Sequence, residues 1–189
     1  MPRRRKRPPV LELVAAGEVD DGLIASVGDG VRAVLGLQWR PGDAMPLHAE
    51  WRDAESGLYP SVHLMHALIA RRGAEDEDDE PRWTLAIADA GFCAPRVGTV
   101  FGEAEVEGCC AVVGLEPLRA GSGADADVLR DRALSVALHE LGHLGGVHHC
   151  RRASCVMYPS SHIADTDRKG TALCPDCARA LKWLRIRKS

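Results

Sequence analysis

The chain has 189 residues, 46% hydrophobic and 27% charged, a balance that suits one globular domain and excludes a chain too polar to bury a core. Its net charge of −3 provides no global basic field, so composition gives no support for nucleic-acid or membrane-surface binding. No apolar run reaches the roughly 18 residues of a membrane span.

Arg3-Arg4-Arg5-Lys6-Arg7, between Pro2 and Pro8-Pro9, is expected to be a solvated basic tail over residues 1–9. The stretch Val10–Ala16 is broken by Glu12 and is too short and polar for a secretory core, so a cytoplasmic, membrane-free protein is expected. The same stretch predicts a strand. From about Glu18 to Leu35 the residues Leu23, Val27, Val31, Val34 and Leu35 recur at helical spacing. After a turn at Pro41-Gly42, Ser61–Arg71 predicts a second helix on Val62, Met65, Leu68 and Ile69, with His63 and His66 at its surface.

The acidic run Glu75–Glu80 reads as a solvated loop, without the glycine and alternating ligands of a calcium loop. Trp83–Asp89, Val97–Gly102 and Cys110–Leu115 then predict three strands at a mixed or antiparallel sheet edge. Ser122–Asp125 starts a helix whose apolar residues Val128, Leu129, Ala133, Val136, Ala137 and Leu141 continue until Gly145-Gly146.

That last helix carries the chemistry. His139 and His143, four residues apart, project from one helical face and can share a zinc ion. Glu140 sits around the helix from them, placed to take a proton from a metal-bound water rather than to ligate. Catalytic zinc usually takes three protein ligands, and Gly146 can turn the chain back to supply the third. The spacing His139-Glu140-x-x-His143-x-x-Gly146-x-x-His149 matches the metzincin pattern and selects His149, leaving His148 as a neighbour. Met157, eight residues further on, suits the methionine that packs beneath a metzincin metal without binding it.

Cys150, Cys155, Cys174 and Cys177 form C-x4-C and C-x2-C pairs, a spacing suited to a closed, structural tetrathiolate zinc site. Two disulfides are the competing reading, disfavoured by the cytoplasmic expectation and the short CPDC loop. A redox CxxC lacks its βαβ context here. Cys93, Cys109 and Cys110 read as small buried hydrophobes.

With its HExxHxxGxxH run leading into cysteine, then CxM and CxxC, the chain resembles the archaemetzincins, a metzincin branch marked by a second, four-cysteine zinc site. VFGEA at Val100–Ala104 and DRKGTALCPDC at Asp167–Cys177 are similar to the same family. The resemblance implies an α/β, zincin-like fold: a twisted mixed sheet, an active-site helix and a small zinc-clamped C-terminal part. Residues 10–189 would be one metallopeptidase domain, 10–146 holding the sheet and helices and 147–189 the methionine turn and cysteines. It implies His139, His143 and His149 as catalytic zinc ligands, Glu140 as general base, the four cysteines as structural ligands, and two zinc ions per chain. Tyr158, directly after Met157, receives no catalytic role.

The expected activity is hydrolysis of peptide bonds in a peptide or protein substrate by a monomer, and the resemblance admits aminopeptidase-like action on short peptides. Val97–Ala104 is the candidate edge strand for an extended substrate. The alternative is a zinc-binding scaffold or peptide-binding module without turnover.

Overall fold

The computed structural model describes residues 7–75, 81–95, 97–121 and 125–184. Most of the basic tail, acidic positions 76–80 and the proposed helix start at 122–124 lie outside these residues. In chain order the elements are β1 (Val10–Ala16), α1 (Asp21–Leu35), β2 (Trp39–Pro41), β3 (Tyr59–Pro60), α2 (Ser61–Glu75) and β4 (Arg82–Ala88). There follow β5 (Phe92–Ala94), β6 (Gly98–Val100), β7 (Gly102–Ala104), β8 (Cys110–Gly114), α3 (Ala126–Leu144), α4 (Ile163–Lys169) and α5 (Pro175–Ala180).

The main sheet has the order β2-β1-β4-β8-β7, and β3-β5-β6 form a second, smaller sheet. β1 pairs in parallel with β2 and β4, and β4 with β8, whereas β7 runs antiparallel to β8 at the edge. The fold is thus α/β with a mixed sheet, but its centre is parallel. Helices cover both faces, so the central strands are apolar on both sides and lack the alternation of a half-solvated strand. Leu11, Leu13, Leu85, Ile87, Ala111 and Val113 pack toward α1 and α3. Val14, Ala16, Ala86, Ala88 and Val112 belong to the other core, with Leu64, Met65 and Leu68 of α2.

Local chemistry sets the helix ends. The Asp20 side chain accepts the amide of Leu23 at the start of α1, and Asp125 accepts those of Asp127 and Val128 at the start of α3. On α2 the buried face is Ser61, Leu64, Met65 and Leu68; Val62 and Ile69, expected on the apolar face, are 39% and 43% exposed. The i, i+3, i+4, i+7 set starting from Ser61 outcompetes the one starting from Val62, because Phe92 and the sheet lie on that side.

The expected continuous strand Val97–Gly102 is instead two short strands in different sheets. β6 pairs with β5 in the small sheet, Phe101 forms the joint, and β7 pairs with β8 in the main one. Val97 lies outside both, 72% exposed. The candidate substrate edge is therefore shorter than Val97–Ala104: only Gly102–Ala104 borders the main sheet.

Candidate metal centres and catalytic cleft

α3 ends in a tight reversal. The amide of Gly146 donates to His143 O at 2.9 Å and that of Val147 to Gly142 O at 2.9 Å, the paired bonds of a Schellman closure. Gly146 occupies the left-handed region with φ 87°, which a side chain would resist. The chain thereby returns His149 to the face of α3 that carries His139 and His143. One ligand nitrogen from each of the three lies within 4.8 Å of the others.

The hydrogen bonds of the first two rings fix their tautomers. His139 Nδ1 donates to Val156 O and His143 Nδ1 to Val147 O, both at 2.8 Å, because a carbonyl can only accept. In the neutral rings both Nε2 atoms therefore present lone pairs, and these face each other at 3.1 Å. Two lone pairs at that distance repel unless a cation lies between them. Tetrahedral zinc with ligand bonds of about 2.0–2.1 Å spaces its nitrogens by roughly 3.3 Å, so the donor set fits zinc. Burial holds all three histidines below their usual range: His139 falls to about 3, with Lys169 the second cause, and His143 and His149 also move down. Neutral imidazoles are the form a metal takes. His148 is exposed and is not part of the cluster.

Glu140 is buried beside the histidines and lines the same cleft. Burial raises its carboxyl to about 8; Lys169 opposes that rise and Glu103 adds to it. The cleft, ≈ 400 Å³, is bounded by β6 and β7, by the face of α3, and by Pro159–Ser161 with Lys169. β7 comes very close: a Cβ on Gly102 would stand 2.8 Å from Glu140 Oε1. Among the described residues β7 has a strand partner on one side only. Met157 is fully buried, and its sulfur fills the space where a Cβ on Gly142 would go.

The four cysteines also converge. One sulfur from each of Cys150, Cys155, Cys174 and Cys177 lies within 4.8 Å of the rest, and Cys150 Sγ is 3.8 Å from Cys174 Sγ. None of the seven cysteines is joined in a disulfide. Zn–S bonds of about 2.3 Å imply sulfur–sulfur spacings near 3.8 Å in a tetrahedral site, which this cluster matches. Backbone amides already point at two sulfurs: Arg152 N at Cys150 Sγ (3.4 Å) and Cys174 N at Cys155 Sγ (3.3 Å). The Cys177 amide is the main influence drawing Cys174 down to about 7, whereas burial raises Cys155 and Cys177. Ionising Cys155 and Cys177 therefore needs a cation's charge, again a fit to a metal. Cys110 is buried at the start of β8, with its sulfur 3.7 Å from that of half-buried Cys109.

One residue of the site was not expected. Lys169, at the end of α4, is 4% exposed, donates to Tyr158 O at 3.0 Å and stands 3.3 Å from His139 Nδ1. It does not bond that nitrogen, whose proton is directed to Val156 O. Helical spacing from Ile163 through Thr166 puts Lys169 on the inward face, a signal obscured by the charged run Asp165–Lys169.

Comparison with known proteins agrees with this architecture. The sequence model of peptidase family M54 matches residues 67–183. The archaemetzincin of Pyrococcus horikoshii is 34% identical over 133 residues, 69% of each chain. That of Archaeoglobus fulgidus is 36% identical over 100 residues, so the match spans 53% of this chain and only 60% of that relative. The crystal structure of a zinc-dependent peptidase from Methanocorpusculum labreanum superposes with a TM-score of 0.82 at 25% identity, covering 90% of this chain and 99% of that one.

Proposed function

This chain belongs to peptidase family M54, with archaemetzincins as its relatives, and from that premise we propose that it hydrolyses peptide bonds as a zinc-dependent peptidase. The observation that carries the proposal is the position of Glu140: a buried carboxylate in the same cleft as three convergent, neutral histidines. His139, His143 and His149 hold the catalytic zinc; Cys150, Cys155, Cys174 and Cys177 hold the structural one. Zinc, when bound, polarises the scissile carbonyl and acidifies the attacking water.

Glu140 takes the proton of that water on its carboxylate and returns it to the leaving amine. Burial raises its proton affinity, which suits a base that must also serve as an acid within one cycle. The Nδ1 bonds of His139 and His143 hold the rings in one tautomer and orientation throughout. β7 offers Gly102–Ala104 to an extended peptide backbone, which aligns the scissile bond over Glu140. Met157 supports the histidine face from below, with no part in proton transfer.

Residues 10–189 are proposed as one domain whose C-terminal part, 147–189, supplies the third histidine and the cysteines. Its buried residues join the core formed by α1 and α3, which supports treating the two parts as one unit. Among the described residues no helix is long and apolar enough to cross a membrane. Four cysteines that converge as a metal cluster, rather than pairing as disulfides, suit a reducing compartment, and on that chemistry we propose the cytoplasm; the enzyme is proposed to act as a monomer.

The test is cleavage of a diverse peptide mixture, with free and acetylated N-termini, by the zinc-loaded protein and its Glu140→Ala variant. The parent should cleave and the variant should be slower by about 10²–10⁴-fold. Preference for free N-termini would establish aminopeptidase-like action. Equal cleavage by both proteins would contradict the role of Glu140, and cleavage by neither would contradict the peptidase assignment and leave a zinc-binding scaffold.

A further inference from the structure

Two polar groups on the Pro159–Lys169 side of the cleft lack the partners that their burial demands. The Ser160 hydroxyl oxygen is buried and, among the described residues, makes no hydrogen bond. Lys169 carries three N–H donors on a 4%-exposed side chain. One donates to Tyr158 O; its other near neighbour, His139 Nδ1, has its own proton and cannot accept. No carboxylate among the described residues lies within ion-pair distance of the ammonium. Glu103, the second acid bordering the cleft, has its carboxylate engaged by the Ser61 hydroxyl.

A buried ammonium with one hydrogen bond for three N–H donors, and a buried hydroxyl with none, are costly unless something completes them. Both residues belong to the lining of the cleft that contains Glu140. Resting on the peptidase reading above, we propose that Lys169 and Ser160 form a carboxylate-recognition subsite, which selects peptides presenting a carboxylate just beyond the scissile bond. The carboxylate accepts from the Lys169 ammonium and the Ser160 hydroxyl together, in two charge-assisted bonds. An acidic side chain and a free C-terminus supply the same chemistry, so the substrate class is peptides with Asp or Glu after the cleaved bond, or with that residue last.

The experiment compares kcat/KM of the zinc-loaded enzyme on two matched peptide pairs. The first pair has Glu or Gln after the cleaved bond, both with amidated ends; the second has a neutral residue there, ending in a free acid or an amide. The subsite predicts a preference of at least about tenfold for the carboxylate member of one pair, and the pair that shows it identifies the source. Lys169→Met should reduce that preference to below about threefold, Lys169→Arg should preserve most of it, and Ser160→Ala should weaken it by about threefold.

A purely structural lysine would lower rates on all four peptides without changing their ratio. Calorimetric binding of the same pairs to zinc-loaded Glu140→Ala protein reads the subsite without turnover, so failure of hydrolysis and failure of the subsite are separable. If Lys169→Met does not fold, the parent's ratio and the Ser160→Ala ratio decide. Equal handling of both pairs by the parent, in cleavage and in binding, or a ratio unmoved by a folded Lys169→Met protein, would overturn the proposal.

Discussion

His139 donates its Nδ1 proton to the carbonyl of Val156 at 2.8 Å, and Val156 directly follows Cys155. A ring at the proposed catalytic zinc is thus oriented by the residue next to a cysteine of the other cluster. His149 and Cys150 repeat the arrangement, adjacent in sequence but belonging to different clusters. The two centres share a single short segment of backbone.

That linkage predicts a remote effect of removing one thiol. Cys174→Ser should cost the structural zinc and also weaken zinc at the histidines by about 10–100-fold, the usual range when a ligand's supporting partner is disturbed. Zinc content during stepwise dialysis against a chelator measures both. Histidine-site zinc held as tightly as in the parent would mean that the segment keeps its shape without the cysteine metal.

Gly142→Ala separates helix propensity from packing. Alanine gains about 1 kcal/mol in a helix interior relative to glycine, but its Cβ falls on the Met157 sulfur, and overpacking costs about 1–3 kcal/mol. Packing should win because Met157 is fully buried. Tm should fall by a few degrees and zinc affinity with it; a raised Tm would show that the methionine turn is free to move.

Arg132 joins α3 to α4 and to the turn before it. Its guanidinium, 8% exposed as a residue, donates to both Asp167 oxygens (2.7 and 2.8 Å) and to the carbonyls of Leu118 and Ala120 at 2.8 Å. Arg132→Ala strands two carbonyls and should cost about 2–3 kcal/mol. Asp167→Asn should cost less than about 1 kcal/mol, because that carboxylate is 46% exposed and well screened. Denaturant unfolding of both variants gives the ratio, and equal losses would make the ion pair rather than the carbonyl contacts dominant.

Asp165 supplies a pH dependence. The amides of His162 and Ser161 hold its carboxyl below the usual aspartate range at the start of α4. A depressed folded-state pKa gives stability that is present above the unfolded value, about 3.9, and lost as pH falls through the folded one. The Tm gap between parent and Asp165→Ala should therefore be open near neutrality and narrow below about pH 4. A gap independent of pH would remove the cap from the stability of α4.

Much of the site could be read from residue spacing because helix geometry and one glycine determine it. Four residues put His139 and His143 on one face, and Gly146 accepts the left-handed turn that brings His149 back. The sheet was less legible. The parallel centre escaped a pattern reading because Cys110-Ala-Val-Val-Gly114 is buried at every position, and a run without alternation does not state its direction. Val97–Gly102 looked like one strand because its local character is uniform; the switch of sheet at Phe101 depends on the distant partners β5 and β8. Lys169 was hidden by composition, since a lysine in a charged helix reads as solvated until its inward neighbours are known.

The most direct test measures zinc content and peptide cleavage on the same preparations of the parent and Glu140→Gln proteins. Both should carry two zinc ions per chain, and only the parent should cleave at a measurable rate. A Glu140→Gln protein with two zinc ions and undiminished cleavage would contradict the role of Glu140, and a parent with a single zinc ion would contradict the two-centre arrangement.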